Sequence, residues 1–459
     1  MDSNRTSKLE KNDRLHNFLS PYGNPHANAV SGPLVISRGE GVYVYDEDGR
    51  KYIEGVSALW YATLGFSESR LVDAAYGQLK KLPCYHAFGN KISDVCLELT
   101  DRLTELTPEG LNHVFYGSSG SDANDTAMKL VRYYYNALGR PNKKKIIARE
   151  AAYHGTSLAT ASLTGVPRNH WGFDLPIEGI VRAKCPNYYR DGLPGESEEA
   201  YTSRILKDLE QQIESEGPET IAAFIAEPVM GVGGVIVPPK GYFSGVQKLL
   251  KKYDILFIAD EVISGFGRLG FMFGVNAFEI QPDMMAIAKA FSAGYQPISA
   301  LVISDEINEV VAKKSAELGT LGHGYTYSAH PVPAAVALET LNIYRDLDIL
   351  KVVKKASHTF WETMAPLREF SVIGELRGMG LIAGIELVAD RKTKEKFPVA
   401  RAVGKIFETH CLNAGLIVRA IGDTIAVAPP FIISDDELRT MSNCLINAAC
   451  LTELDLKKQ

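Results

Sequence analysis

The sequence predicts an α/β protein: a mostly parallel sheet covered by helices on both faces, joined to a smaller α+β lobe. Three observations carry this. Between about residues 70 and 330, continuous apolar and β-branched runs alternate with helical patterns, as strands buried on both faces require. After that the alternation stops, and a helix, two strands and a closing helix follow in mixed order. The chain of 459 residues also exceeds what one ordinary core accommodates, so more than one lobe is expected.

In chain order, the first thirty or so residues read as a mobile or partner-wrapping arm. The stretch "GVYVYDEDGRKYIEG" alternates on either side of Asp48-Gly49, a two-residue hairpin signal. The strand candidates are "HVFYG", "KKIIA", "TIAAFIAEP", "DILFIADEV" and "ISALVIS". Between them, "YTSRILKDLEQQIESEG" sets Ile205, Leu209 and Ile213 on one helical face, and Gly217-Pro218 ends it. A helix near 332–345, strands near "GLIAGIEL" and "TIAVAPP", and a last helix complete the chain.

Composition excludes several classes. A net charge of −6 leaves no electrostatic footprint for nucleic acid or an anionic membrane surface. No apolar run reaches the ~18 residues of a membrane span. The start, "MDSNRTSKLEKNDRLHNF", lacks an apolar signal core, and the six cysteines are scattered without a C-x-x-C. Reduced thiols and a cytoplasmic location are expected. The ten histidines form no ligand cluster by spacing, so no metal is expected; His154 and His330 read as structural.

Ligands bind beyond the carboxyl ends of parallel strands, and chemistry-bearing residues fall there. "ILFIADEV" ends in Asp260 and Glu261, "AAFIAEP" in Glu227, and "DMMAIA" leads to Lys289. The bland explanations are a carboxylate capping the next helix and a lysine snorkelling to water. An amine and an acid where a ligand would bind instead suit pyridoxal phosphate, which needs a Schiff-base lysine and an acid for its pyridine nitrogen. "YGSSGSDANDTAMKLVRYYY" supplies a Gly/Ser loop opening a helix, suited to a phosphate, although a plain Ser/Asp N-cap would look the same. "AAYHG" puts Tyr153 at a further strand end, where its ring can stack on a flat cofactor.

The rival motifs fail on detail. "GMGLIAG" (378–384) has G-x-G-x-x-x-G spacing and runs into a strand pattern rather than a helix, which argues against a dinucleotide site. "GSSGS" (117–121) misses the serine-hydrolase elbow because its fifth residue is serine.

The chain resembles the class III (ω-) aminotransferases, pyridoxal phosphate enzymes of fold type I, and within them the amine:pyruvate branch. The resemblance rests on "LFIADEVISGFGRLG" followed by "PDMMAIAKAFSAGYQPISA", which set Asp260 and Lys289 29 residues apart. Supporting segments are "SSGSDANDTAMKLV", "IAEPVMGVGG", "HGYTYSAHPVPAAVA" and "RGMGLIAGIEL". It implies a large domain with a seven-stranded sheet over 71–332, preceded by an arm and part of the small domain over 1–70. The rest of the small domain follows over 333–459. It also implies roles. Lys289 and Asp260 would be catalytic. Tyr153 and Val262 would sandwich the cofactor ring, and Ser119, Gly120 and Ser121 would cradle its phosphate. Thr326 would help from the second subunit of a homodimer or tetramer. Glu227 would support the site near the cofactor's hydroxyl, Trp60, Phe88 and Tyr325 would line the substrate pocket, and Arg419 would grip a substrate carboxylate.

Two departures are visible: Val232 stands where alanine is common, and Ser264 where cysteine is common. The expected reaction is ping-pong transfer of an amino group from a primary amine or ω-amino acid to an oxo acid, pyruvate first. Alternatives are a 2-oxoglutarate-dependent enzyme acting on a diamine or 4-aminobutyrate, and a non-transaminating enzyme of the same fold. A nicotinamide oxidoreductase or a non-catalytic scaffold is more remote.

Overall fold

Seven strands form the central sheet of the computed structural model, which describes residues 18–458. Most of the expected N-terminal arm lies outside the described residues. In chain order the strands are β1 (Leu111–Gly117), β2 (Lys145–Arg149), β3 (Ile180–Ala183), β4 (Ile221–Ala226), β5 (Leu256–Asp260), β6 (Met284–Ile287) and β7 (Ser299–Ser304). They lie in the order β1-β7-β6-β5-β4-β2-β3. Neighbours from β6 to β3 are parallel, while β7 runs antiparallel to both β6 and β1. The short link from β6 to β7 explains the reversal, because a parallel return needs room for a crossover helix.

Successive residues of the inner strands enter two different cores, which is why these strands read as continuous apolar runs. On β4, Phe224 and Ala226 join one core and Ala223 and Ile225 the other. β5 repeats this with Phe257 and Ala259 against Ile258. One face is covered by the helix α1 (Gly120–Ala137), which contributes Ala127, Leu130 and Val131. The other is covered by Glu198–Glu216, Tyr242–Lys252 and Pro331–Asp346. Ile205, Leu209 and Ile213 are buried there as their spacing predicts, and Gly217 ends their helix with φ +83°.

Two smaller sheets flank this layer. The strands Tyr43–Asp46 and Lys51–Glu54 pair antiparallel, as the Asp48-Gly49 signal requires. The connection is longer than two residues: the Asp46 carboxylate accepts the N–H groups of Asp48 (3.1 Å) and Arg50 (2.8 Å), and Gly49 takes φ +81°. The late strand Leu416–Ile417 joins this sheet in parallel with Ile53 and Glu54. In the second small sheet, "GMGLIAG" is a hairpin corner: Ile373–Met379 and Ile382–Leu387 pair antiparallel across Gly380-Leu381. Its glycines serve close approach, since a Cβ on Gly378 would lie 2.0 Å from the Ile382 carbonyl oxygen. Among the described residues no helix is long and apolar enough to cross a membrane.

Gly380 combines φ +60° with a would-be Cβ contact of 2.5 Å to the Arg268 carbonyl oxygen. Gly380→Ala should therefore cost more than about 1 kcal/mol, the usual penalty for a side chain in this conformation. The midpoint of urea unfolding checks this.

Candidate active site

The carboxyl ends of β2, β4, β5 and β6 converge with the start of α1 around one cavity. Its walls include Trp60, Gly120, Ser121, Tyr153, Glu227 and Asp260, and equally Val262, Lys289 and Arg419. Nine of the thirteen residues singled out from sequence thus meet in one place, and Ser119 caps the helix that brings Gly120 and Ser121 there.

Asp260 ends β5 and Glu261 follows it, and the two acids point to different sides. Asp260 faces the cavity, whereas Glu261 turns away and accepts from Ser264 Oγ (2.6 Å) and from the N–H groups of Gly274 (2.9 Å) and Val275 (2.6 Å). The capping role weighed for an acid here thus falls to Glu261, and Ser264 gains a purpose as its donor. Burial raises the Glu261 carboxyl to about 7.

Asp260 is itself held from three elements. Its Oδ2 accepts from Asn124 Nδ2 on α1 (2.7 Å) and lies 2.8 Å from His154 Nδ1, while Oδ1 accepts the Val262 N–H (3.1 Å). Sequence reasoning passed over Asn124 and set His154 aside as structural. The available signal was position: Asn124 sits one turn beyond Gly120, and His154 directly follows Tyr153. Asn124 Oδ1 and His154 Nε2 are buried without a hydrogen-bond partner among the described residues. Tyr22, also unforeseen, lines the cavity too and accepts from Asn169 Nδ2 (3.0 Å).

Lys289 starts a short 3₁₀ turn after β6 with φ +51°, a conformation a side-chain-bearing residue adopts only under constraint. Burial lowers its amine to about 8, against the upward pull of Asp260 and Glu227 and with a small further push down from Arg419. Glu227 is 4% exposed. It accepts the N–H groups of Tyr153 and Gly231, each at 3.0 Å, and burial raises its carboxyl. Burial also lowers the Arg419 guanidinium, and no carboxylate among the described residues lies within ion-pairing distance of it.

At the start of α1, Ser119 Oγ accepts the Asp122 N–H (3.2 Å), and Asp122 Oδ2 accepts the N–H groups of Ser118 (2.8 Å) and Ser119 (3.0 Å). The N-cap alternative is therefore realised, and it leaves the N–H groups of Gly120 and Ser121 open, as in any first helical turn. A Cβ on Gly120 would press to 3.0 Å from Val262, so glycine lets the helix begin directly against that side chain. Open N–H groups on the positive end of an 18-residue helix form an anion cradle.

Phe88, Tyr325 and Thr326 do not line the cavity. They cluster on the surface beside it: Phe88 is 49% exposed and its Cζ would lie 3.0 Å from a Cβ on Gly324. The Tyr325 hydroxyl donates to the carbonyl of Asp122 (3.2 Å), the residue after Ser121. His330 lies outside the cavity and accepts the Val332 N–H at the start of its helix. Val232 does reach the cavity wall.

The donor set fits pyridoxal phosphate: a desolvated amine, a carboxylate fixed by three neighbours and an anion cradle all open to one space. Comparison with known proteins agrees. Residues 25–449 match the family model described as aminotransferase class-III. Gamma-aminobutyrate transaminase 1, mitochondrial, from Oryza sativa subsp. japonica is 48% identical over 97% of this chain and 87% of its own length. Vanillin aminotransferase from Capsicum chinense is 49% identical over 92% of each chain. The crystal structure of the omega transaminase from Pseudomonas jessenii in complex with PMP superposes with a TM-score of 0.95 at 46% identity, covering 96% of this chain and 98% of that one. The plant relatives also correct the cytoplasmic expectation, because gamma-aminobutyrate transaminases 47–48% identical to this chain carry a mitochondrial designation. That expectation rested on the lack of an apolar signal core and on scattered thiols, and neither feature separates the cytoplasm from an organelle.

The lowered Lys289 amine has a measurable consequence. Capture of pyridoxal phosphate by the apoprotein, followed by absorbance, should rise about tenfold per pH unit below about 8 and level off above it. A plateau reached only near the ordinary lysine value would show that the amine is not desolvated.

Proposed function

The chain belongs to the class III aminotransferases, which use pyridoxal phosphate, and we propose that its amino donor is an ω-amino acid of the 4-aminobutyrate type. The observation that carries this is the placing of the Lys289 amine, where the cofactor would be held, and the Arg419 guanidinium on one cavity. An ω-amino acid would bring its amine to the cofactor held at the first and its carboxylate to the second. The plant gamma-aminobutyrate transaminases among its relatives support the same donor class. The acceptor is a small oxo acid whose carboxylate uses Arg419 in turn, with pyruvate and 2-oxoglutarate the two to be compared.

Lys289 would anchor the cofactor through its amine, with the α1 cradle on the phosphate, Tyr153 and Val262 on the two ring faces, and Glu227 near the ring hydroxyl. Bound there, the cofactor supplies an electron-accepting ring that makes a proton on the donor carbon removable. Asp260, fixed by Asn124 and His154, keeps a proton on the ring nitrogen, because a paired carboxylate favours the cationic form of its neighbour. Lys289 Nζ, once free and neutral, would take the donor-carbon proton and deliver it to the carbon on the far side of the donor nitrogen, the cofactor's C4′. Arg419 orients the carboxylate end and Trp60 limits the space beside it. A second copy of the chain in a homodimer would bring Phe88, Tyr325 and Thr326 to the site. A second reading, an arylalkyl amine donor, is favoured by the aromatic wall of Trp60 and Tyr153 and by the vanillin aminotransferase relative.

A donor panel decides between them: 4-aminobutyrate, a diamine and an arylalkyl amine, each with pyruvate and with 2-oxoglutarate. Arg419→Ala should raise KM for 4-aminobutyrate at least about tenfold, as loss of a hydrogen-bonded charge predicts, and leave an uncharged amine nearly unaffected. Equal losses would remove the carboxylate-gripping role. Lys289→Ala should still take up cofactor but lose multiple turnover, and retained turnover would overturn the assignment.

A further inference from the structure

Trp60 reaches the cavity on a strained segment. Ser57, Ala58 and Trp60 have φ of +49°, +58° and +71°, and Ala58 pairs its φ with ψ −88°, outside the regions open to side-chain-bearing residues. No glycine relieves the segment. Such backbone persists only where its surroundings over-determine it, and two buried ionisable side chains do so here.

Glu54 holds the near end, its Oε1 accepting the Val56 N–H at 3.0 Å. Arg268 holds the middle. One of its terminal nitrogens donates to Ser57 Oγ (3.1 Å), and that hydroxyl donates to the Ala428 carbonyl (2.7 Å). The other donates to the carbonyls of Pro429 (2.6 Å) and Leu381 (3.0 Å). The guanidinium lies 4.5 Å over the Phe431 ring. Arg268 is fully buried, and no carboxylate among the described residues lies within ion-pairing distance of it. Among the described residues its polar partners are a hydroxyl and two carbonyls, and burial lowers its guanidinium to about 9. A buried cation with no counter-ion is costly. What this one achieves is to join three distant stretches of chain at the base of the Trp60 segment, a task for a planar fork of donors.

We propose that Arg268 is a positioning residue for the donor side of the site, its guanidinium acting through Ser57 to hold the strained Val56–Trp60 segment so that Trp60 keeps its place in the cavity wall. The inference rests on the reading of that cavity as the donor pocket. Asp260 and Lys289 belong to β5 and β6 and their connections, so loosening the segment alters donor fit while the cofactor side stays in place.

The test uses the holoenzyme with Arg268→Met, Arg268→Lys and Ser57→Ala, and with Trp60→Leu as reference. Ser57→Ala, which removes the link and leaves the cation, should raise KM for an arylalkyl amine about tenfold. It should also change the ratio of arylalkyl amine to small donor in the same direction as Trp60→Leu, with unchanged cofactor absorbance and kcat for the small donor. Arg268→Met should do the same, and Arg268→Lys, a cation without the fork, should not restore the parent profile. If Arg268→Met does not fold, Ser57→Ala decides. A Ser57→Ala enzyme with the parent's donor KM and preference, beside a Trp60→Leu enzyme that shifts both, overturns the clamp alone. A Trp60→Leu enzyme with the parent's profile overturns the clamp together with the donor-pocket reading.

Discussion

Taken out of water, a carboxylate must be paired or lose its charge, and Asp260 is paired from three directions at once. The donors come from separate parts of the chain: Asn124 from α1, His154 from the loop after β2, and Val262 from the backbone just beyond β5. Meeting this one demand therefore fixes how the helix, the loop and the strand end lie relative to one another. The open N–H groups of α1 and the ring of Tyr153 take their places through the same contacts, Gly120 being pressed against Val262 and Tyr153 preceding His154. Lys289 completes the arrangement, since the negative charge of Asp260 opposes the desolvation that lowers its amine.

The neighbouring acid shows how little separates a structural from a functional side chain. Asp260 and Glu261 are consecutive and both buried, yet at the end of the strand one faces the cavity and the other turns away. On its own side Glu261 ties down the segment up to Val275 through three hydrogen bonds. The one that faces the cavity joins the site, and the one that does not becomes a cap.

The order of residues revealed the fold where burial is two-sided and the site where chemistry coincides with a strand end. β4 and β5 were legible because both faces demand apolar residues, and Lys289 because a charge in such a run needs a reason. β3 was not, since an edge strand of four residues containing Arg182 offers neither length nor a continuous apolar run. β7 was legible as a strand but not as a reversed one, because direction depends on the link that precedes it. Asn124 and His154 look like ordinary helix and loop residues until the tertiary structure points both at one carboxylate. Phe88 and Tyr325 were identified by motif, but a motif does not say which side of the chain it will face, and here they stand outside the cavity.

The charges around the cavity are also coupled through space. Arg419 contributes, as the smallest of the influences, to holding the Lys289 amine below its ordinary value. A carboxylate bound at Arg419 cancels part of that positive field, so the proton affinity of Lys289 rises when a carboxylate arrives and falls when it leaves. The same cancellation relieves Arg419, whose guanidinium is lowered by burial and has no carboxylate partner of its own among the described residues. On the proposed reading, a donor carrying both an amine and a carboxylate would act on both ends of the cavity at once, whereas an amine without a carboxylate would leave the influence of Arg419 on Lys289 in place.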